Sequence, residues 1–489
     1  MKKIIIFAAA ALLFGGCTKD LTGLNQDPKN PTSLPSAALF TNAQRTLTNT
    51  LTSSNVNLNI FRLVAQYWQE TTYTDESNYD IVTRQIPDNM WDALNRDVLR
   101  DFQEVKAIVP TESSDAKTQK NQLAITDIME VNTWYYLITS FGDVPYKEAL
   151  DIKNIFPKYD NQKDAYYDLL TRLDSSIAAL DASASSFGAA DIIYNGDVTA
   201  WKKFGNSLKL RLGMTIADYD APKAKSVVES AIADGVFTSN NNNAMFKYVS
   251  SPPNTNPVWV DLVQSGRKDF IVNSTIANLM NTESDPRRPY YFTVDGSGNY
   301  SGNGPGKSSS YSAFSKPAGL VKQFNPGDVT DAGRLTYPDF PGDLMDYAEV
   351  EFLQAEAIER GFSVDGGTAA SHYSNAITAS ILFWGGTAAD ATAYLARPGV
   401  NYATAPGTYK QKIGTQKWLA LYNRGWDAWI EQRRFNYPVL PKPSNAASDY
   451  PVRFTYPINE QNVNTVNYKN ASSSIGGDDV TTKLFWDKF

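Results

Sequence analysis

The sequence predicts a mainly α protein, built of helical hairpins and interrupted by one large, irregular, loop-rich region with few short strands. Three observations predict it. Apolar residues recur at the helical spacing of three and four from about residue 37 to 235 and again from about 343 to 435. Between those stretches, residues 236–342 concentrate Asn, Gly, Ser and Pro. The composition, 42% apolar and 20% charged, is that of a globular chain able to bury a large core.

At the amino terminus, Met1-Lys2-Lys3 precedes the apolar run Ile4 to Phe14, then Gly15-Gly16-Cys17. The run suits a secretory signal and is too short to span a bilayer as a permanent helix. It resembles a bacterial lipoprotein signal. Residues 1–16 are then the signal peptide, and Cys17 is the lipidated, palmitate-carrying first residue of the mature chain. Phe14 stands where such signals usually have Leu, and the plainer alternative is a secretory signal with an incidental cysteine. Residues 17–36, with Asn25-Gln26-Asp27-Pro28-Lys29-Asn30-Pro31 and Pro35, read as a flexible leash. Such a chain of about 20 residues has a reach of roughly 25 Å. Residues 37–489 are expected to form one domain.

Within it, Ala124, Ile128, Val131, Tyr135 and Ile138 share a helix face, and that helix should end before Gly142-Asp143-Val144-Pro145. Asp164 to Leu180 is a second helix. Asp197 is placed to cap a third, carrying Trp201, Phe204, Leu208, Leu212 and Ile216. In the loop-rich region, a short helix is expected near Ser274 to Met280. Helices return as Asp346 to Arg360 and Ala369 to Phe383, a helix-turn-helix pair of roughly tetratricopeptide size. One long helix is expected from about Tyr409 to Arg434, with Trp418, Tyr422, Trp426 and Trp429 along it. Residues 436–489 read as mostly irregular.

The composition excludes much chemistry. A net charge of −7 and a pI near 5.1 argue against nucleic acid, which needs clustered Lys and Arg. Past the signal, no apolar run approaches the length of a membrane span. Cys17 is the one cysteine and His372 the one histidine, so thiolate and multi-histidine metal sites are ruled out. His372 lies near a helix start with no G-x-S-x-G elbow in the chain, and reads as an exposed or capping residue.

Several segments resemble one family, the SusD/RagB outer-membrane nutrient-binding lipoproteins, in its SusD-like branch. Phe141-Gly142-Asp143-Val144-Pro145-Tyr146-Lys147-Glu148-Ala149-Leu150 is similar to that family's FGDVPYxEAL signature. Trp201 to Leu212 resembles its WxKFANSLKLRL helix, with Gly205 in place of Ala. Tyr347 to Ala357 resembles YAEVxFLxAEA, and Thr415 to Tyr422, followed by Arg433-Arg434, resembles its last long helix. Tyr394-Leu395-Ala396-Arg397-Pro398-Gly399-Val400, and Gln66-Tyr67-Trp68 followed by Thr72-Tyr73, point to the SusD-like branch. The resemblance implies tetratricopeptide-like hairpins and a loop-rich ligand face. It also implies a partner, a TonB-dependent SusC-type outer-membrane barrel on which the protein sits as a lid, lipid-anchored and facing the cell exterior, capturing an oligosaccharide or a peptide. No enzymatic activity and no cofactor are expected.

The candidate site residues are aromatics in polar loop contexts: Trp68, Tyr73, Tyr79 and Trp91, with Asp75 among them, and Tyr300 and Tyr311 in the middle region, where Tyr290 and Tyr291 also lie. A ring offers an apolar face to sugar C–H groups while Asp, Asn and Arg bond hydroxyls. The same set suits a peptide, and for each residue packing is the competing role. A surface oligosaccharide hydrolase would need two carboxylates across a substrate, such as Asp75 with Asp339 or Asp343. A helical scaffold that binds no small ligand is a third reading. Glu349, Glu351, Glu356 and Glu359 crowd one helix and read as ion-pairing, with Arg211, Arg433 or Arg434 as partners. Asp295-x-Ser297-x-Asn299 starts like a calcium loop, but Tyr300 and Gly306 stand where Gly and Glu belong, so it reads as a turn. Calcium elsewhere stays possible.

Overall fold

The computed structural model describes residues 34–112, 115–317 and 337–489. The signal, Cys17 and the leash up to residue 33 lie outside them. Helix accounts for 53% and strand for 4%, so the mainly α expectation holds.

Local chemistry sets the helix starts. Asp115, Asn161 and Asp197 each accept two backbone N–H bonds at the heads of Ala116–Phe141, Gln162–Ala179 and Val198–Thr215. The second of these begins two residues before the sequence pattern suggests, because Asn161 caps it. Gly142, at φ 91°, ends the first helix where expected. Asp346 caps Tyr347–Glu359, and Thr368 closes a capping box with Ser371 on Ala369–Phe383. Consecutive helices then pair as antiparallel hairpins: Ala116–Phe141 with Gln162–Ala179, Val198–Thr215 with Ala221–Ala233, and Tyr347–Glu359 with Ala369–Phe383.

The helix expected over Tyr409 to Arg434 is two helices, Tyr409–Ala420 and Gly425–Phe435. The break has a cause far away in sequence. The buried Arg62 guanidinium donates to the carbonyl and side-chain oxygens of Asn423 at 2.8 and 2.9 Å, and to Ser53 O at 2.7 Å. It thereby satisfies a carbonyl that a continuous helix would use internally. Gly425 lies against the Arg62 backbone, where a Cβ would sit 2.6 Å from the amide nitrogen. The carboxy-terminal segment, read as mostly irregular, contains the helices Ile458–Val463 and Thr465–Ser474, docked by Asn464 and Asn467 onto Pro157 and Phe156 carbonyls.

His372 also departs from expectation. It is 5% exposed, with Nδ1 2.9 Å from Glu351 Oε2, because the cap role falls to Thr368 and the imidazole turns inward to the neighbouring helix.

Two small antiparallel sheets occur among the described residues. β1 (Trp68–Glu70) pairs with β3 (Phe270–Val272) in the register Trp68↔Val272, Gln69↔Ile271, Glu70↔Phe270. β2 (Ala244–Phe246) pairs with β4 (Gly342–Met345). The short helix Ser274–Thr282, capped by Asn273, follows β3 directly. An aromatic cluster of Trp68, Tyr291, Trp384, Trp418 and Tyr422 lies under the β1–β3 ribbon, with Tyr291 and Tyr422 stacked at 4.1 Å. This rigid floor fixes the loops that leave the ribbon.

Candidate functional site

A pocket of about 390 Å³ opens at the end of the β1–β3 ribbon. Its walls are the Ser54–Asn57 loop, Glu70 to Tyr73 leaving β1, Arg84, Asp261, and Arg267 to Phe270 entering β3. The ribbon continues past its last pair through Thr71 N donating to Asp269 O at 2.8 Å, so Tyr73 is carried on a strand extension. Tyr73 is 71% exposed, and its ring is free to lie against a guest.

The polar groups form a graded set. Arg267 pairs with Asp269 at 2.5 Å, and Asp261 accepts from Ser54 Oγ at 2.8 Å. Asn55 Oδ1 accepts from the Asn57 backbone and side chain, which shapes the opposite lip. Arg84 donates through Nε to buried Glu76 and lies 3.9 Å from Asp75, whose side chain is largely exposed. Glu70 is buried beside Glu76. Burial first, and the Glu76 carboxylate second, push the Glu70 carboxyl up to about 9. At neutral pH it therefore keeps its proton. Glu76 Oε2 has no donor from any other group, and the retained Glu70 proton meets that need. Ser77 N donates to Glu70 Oε2 at 3.0 Å, closing the 70–77 loop on itself.

A second loop flanks this one. Gly306 N donates to Gln69 Oε1 at 2.9 Å, Asn78 Nδ2 to Gly306 O at 2.9 Å, and Ser309 N to Thr71 O at 2.8 Å. The structure thus brings Tyr73, Asp75 and the segment leading to Tyr311 into one loop cluster. Tyr311 is half-buried under Lys316 Nζ, 5.3 Å from its ring centroid. Tyr300 is half-buried beneath Arg288, 5.3 Å from its ring, and does not line the pocket.

Three expected ligand residues are packing residues instead. Trp68 is 1% exposed; it is on β1 and donates Nε1 to Tyr422 OH at 2.9 Å. Tyr79 is 3% exposed, takes a hydrogen bond from Gln66 Nε2 and packs edge-on against Tyr450. Trp91 is 8% exposed and meets Phe141 edge-on at 5.0 Å. Around Trp68 and Tyr79 the polar neighbours Gln66, Gln69, Glu70, Ser77 and Asn78 are buried too, so a polar sequence context there does not mark a surface. Of the middle-region tyrosines, Tyr291 is likewise buried, and Tyr290 donates to Gly385 O. The carboxylate pairs weighed for hydrolysis are not assembled. Asp343, half-buried on β4, has its carboxyl pushed well up by desolvation despite Arg424, whereas Asp75 is on the exposed loop and Asp339 lines no part of the pocket. Asp295 accepts from Ser297 N, Asn299 N and Ser301 Oγ, the pattern of a turn rather than of a cation site.

Glu70, Arg84, Asp261, Arg267, Asp269 and the Ser54–Asn57 loop are pocket residues the sequence reading did not single out. Ser53-Ser54-Asn55-Val56-Asn57, directly after an apolar-periodic helix, carried a usable signal. The charged residues did not, since only the fold gathers them. Among the described residues, no helix is long and apolar enough to cross a membrane, and no group of three or more His, Cys, Asp or Glu side chains could hold a metal ion.

Comparison with curated protein sequences gives no match. Solved structures do match. A protein described as chitin-binding shares 27% identity over 93% of this chain and 100% of its own, with a TM-score of 0.77. A SusD homolog from Bacteroides uniformis shares 26% over 92% and 99%, with a TM-score of 0.75. A chitin-binding SusD homolog from Flavobacterium johnsoniae, at 24% identity and a TM-score of 0.77, shares the fold. The family model SusD-like_2, described as "Starch-binding associating with outer membrane", matches residues 28–457, and the chain belongs to that SusD-like family.

Proposed function

We propose that this chain is a cell-surface glycan-binding lipoprotein. Cys17 carries the lipid, residues 17–36 act as the leash, and the folded part is the lid of a TonB-dependent SusC-type barrel in the outer membrane. It captures an oligosaccharide and hands it on without cleaving it. The observation that carries the reading is the exposed Tyr73 at the mouth of a pocket lined besides by Val56 and Phe270 and by Asn, Arg, Asp, Glu, Ser and Thr side chains. Such a mixture of one flat apolar face and many fixed polar groups fits a ring bearing hydroxyls. The family description and the chitin-binding relative support the choice of sugar over peptide. Binding without cleavage fits the carboxylates, because Glu70 and Glu76 touch each other and Asp269 is tied to Arg267. These carboxyls are engaged with other protein groups rather than presented to a guest.

Titration of the purified chain with maltohexaose, chitohexaose and a panel of short peptides tests the reading. We expect binding to a hexasaccharide with the sugar recovered intact, and a Tyr73→Ala chain that binds at least about tenfold more weakly with its melting temperature unchanged. Sugar cleavage, or binding confined to peptides, would overturn it. For the tether, Cys17→Ala should move the protein from the membrane to the soluble fraction.

A further inference from the structure

A second cavity, of about 340 Å³, lies away from the first, and the Tyr394–Val400 segment forms part of its wall. From the Ser274–Thr282 helix come Leu279 and Thr282. The opposite side is the Tyr409–Ala420 helix, through Gln411, Lys412, Thr415 and Leu419, and the rim is closed by Tyr437, Pro438 and Val439. The same short stretch of chain therefore serves both cavities, since Phe270 of β3 lines the first and Leu279 of the helix after it lines the second.

We infer that this second cavity is a further binding site for one or two units of a neutral sugar chain, resting on the glycan reading above and adding a second contact to it. Its chemistry points to an uncharged guest, because the charged groups around it are already engaged within the protein. Glu283 pairs with Arg397 at 3.3 Å. Lys412 Nζ donates to Tyr402 O at 2.8 Å and lies over the Tyr402 ring. Gln416 is bonded to the Tyr394 hydroxyl and to Arg287, so the floor has no buried group in need of an ion. What remains available is the Thr415 hydroxyl, the Gln411 amide and Thr282 Oγ1 as an acceptor, its own proton going to Asn278 O at 2.9 Å. The same lining carries the apolar faces of Leu279, Pro406, Pro438 and Val439, the last 72% exposed at the mouth. Hydroxyl-bonding groups interspersed with apolar surface suit a pyranose ring, which carries both C–H faces and hydroxyls. A peptide would bring amides that need backbone partners, and none of the four strands lines this cavity.

The geometry around Gly399 shows that the wall is built closely. The Glu283 carboxylate lies directly where a Cβ on residue 399 would go, so glycine leaves it room to pair with Arg397 in this position. Tyr373 OH holds the segment from behind through Val400 O at 2.8 Å. The Tyr394-to-Val400 motif thus acquires a role as the frame of a binding cavity.

Calorimetric titration of the full mature chain with maltohexaose and chitohexaose tests this, using Tyr73→Ala to weaken the first pocket. We expect the Tyr73→Ala chain to keep a measurable second binding event. Adding Thr282→Trp, which puts an indole at an exposed position on the cavity edge, should weaken that event at least about tenfold, and Thr282→Ala, which removes one hydroxyl without filling space, should weaken it by clearly less. If Tyr73→Ala alone removes all binding while the wild-type chain binds, or if Thr282→Trp changes nothing, the second site is refuted and the first stands. If the wild-type chain binds neither sugar, the glycan reading itself fails, and this inference with it.

Discussion

Glu70 shows how a single residue ties the ligand loop to its own protonation. Its carboxyl is pushed up to about 9 by burial and by Glu76, against about 4.5 in an unfolded chain. A raised folded value means that the folded state holds the proton more tightly. The associated stability is complete below pH 4.5 and is lost as pH rises from there toward 9. Glu70→Gln supplies a permanent N–H donor to Glu76 in place of the proton. Melting curves should therefore show the wild type losing stability between pH 5 and pH 8.5 relative to the variant, with the gap closing at low pH; parallel curves would show that Glu70 ionises freely. Site legibility divides at the same scale. Tyr73 and Asp75 stand out from their polar context and do reach the surface. Trp68 and Tyr79 share that context and do not, because burial there is decided by β1 pairing with a strand two hundred residues away and by Tyr450 near the other end of the chain.

Helix starts depend on local chemistry and were readable. Asp197 stands at its predicted cap, and Gly142 ends its helix where the pattern stops. The break between Tyr409–Ala420 and Gly425–Phe435 was not readable, because the apolar spacing runs straight through it and its cause is Arg62. This makes Gly425 an element-scale hinge fixed by tertiary contact. Gly425→Ala would ordinarily favour helix, by about 1 kcal/mol. Here the added Cβ would stand 2.6 Å from Arg62 N and 2.8 Å from Phe61 C, both backbone atoms that cannot swing aside. Overpacking of this kind costs about 1–3 kcal/mol, so we expect net destabilisation by denaturant unfolding. A stabilised variant would mean that the backbone of residues 61–62 gives way.

Across the whole molecule, ion pairs that are buried link segments remote in sequence. Arg211 of the Val198–Thr215 helix meets Glu349 at 2.7 Å, and Glu349 also takes Arg424 at 2.5 Å, which in turn reaches Asp427 at 2.7 Å. Two turns further along, Glu356 accepts from Arg434 at 2.7 Å and Arg360 at 2.8 Å. The glutamate row was legible as a source of ion pairs, and Arg211 and Arg434 are partners, as the sequence suggested. Arg433 is not; it donates to Thr139 and Val452 carbonyls and is sandwiched between Trp429 and Trp486, with burial lowering its pKa to about 10. Sequence spacing puts the carboxylates on one helix, but only the packed hairpins decide which cation faces each. Burial alone would raise the Glu349 carboxyl; Arg211 and Arg424 overcome it and hold it well below its ordinary value. A depressed value gives stability that is present above about pH 4.5 and lost as pH falls below it. Glu349→Gln leaves two buried guanidiniums short of a carboxylate, a loss of about 3–5 kcal/mol at pH 7. It should also flatten the acid limb of the stability curve between pH 4.5 and 2.5, because the group that titrates there is gone. A variant as stable as wild type at pH 7 would mean that this network contributes little to holding the hairpins together, and that hydrophobic packing between the helices carries that load instead.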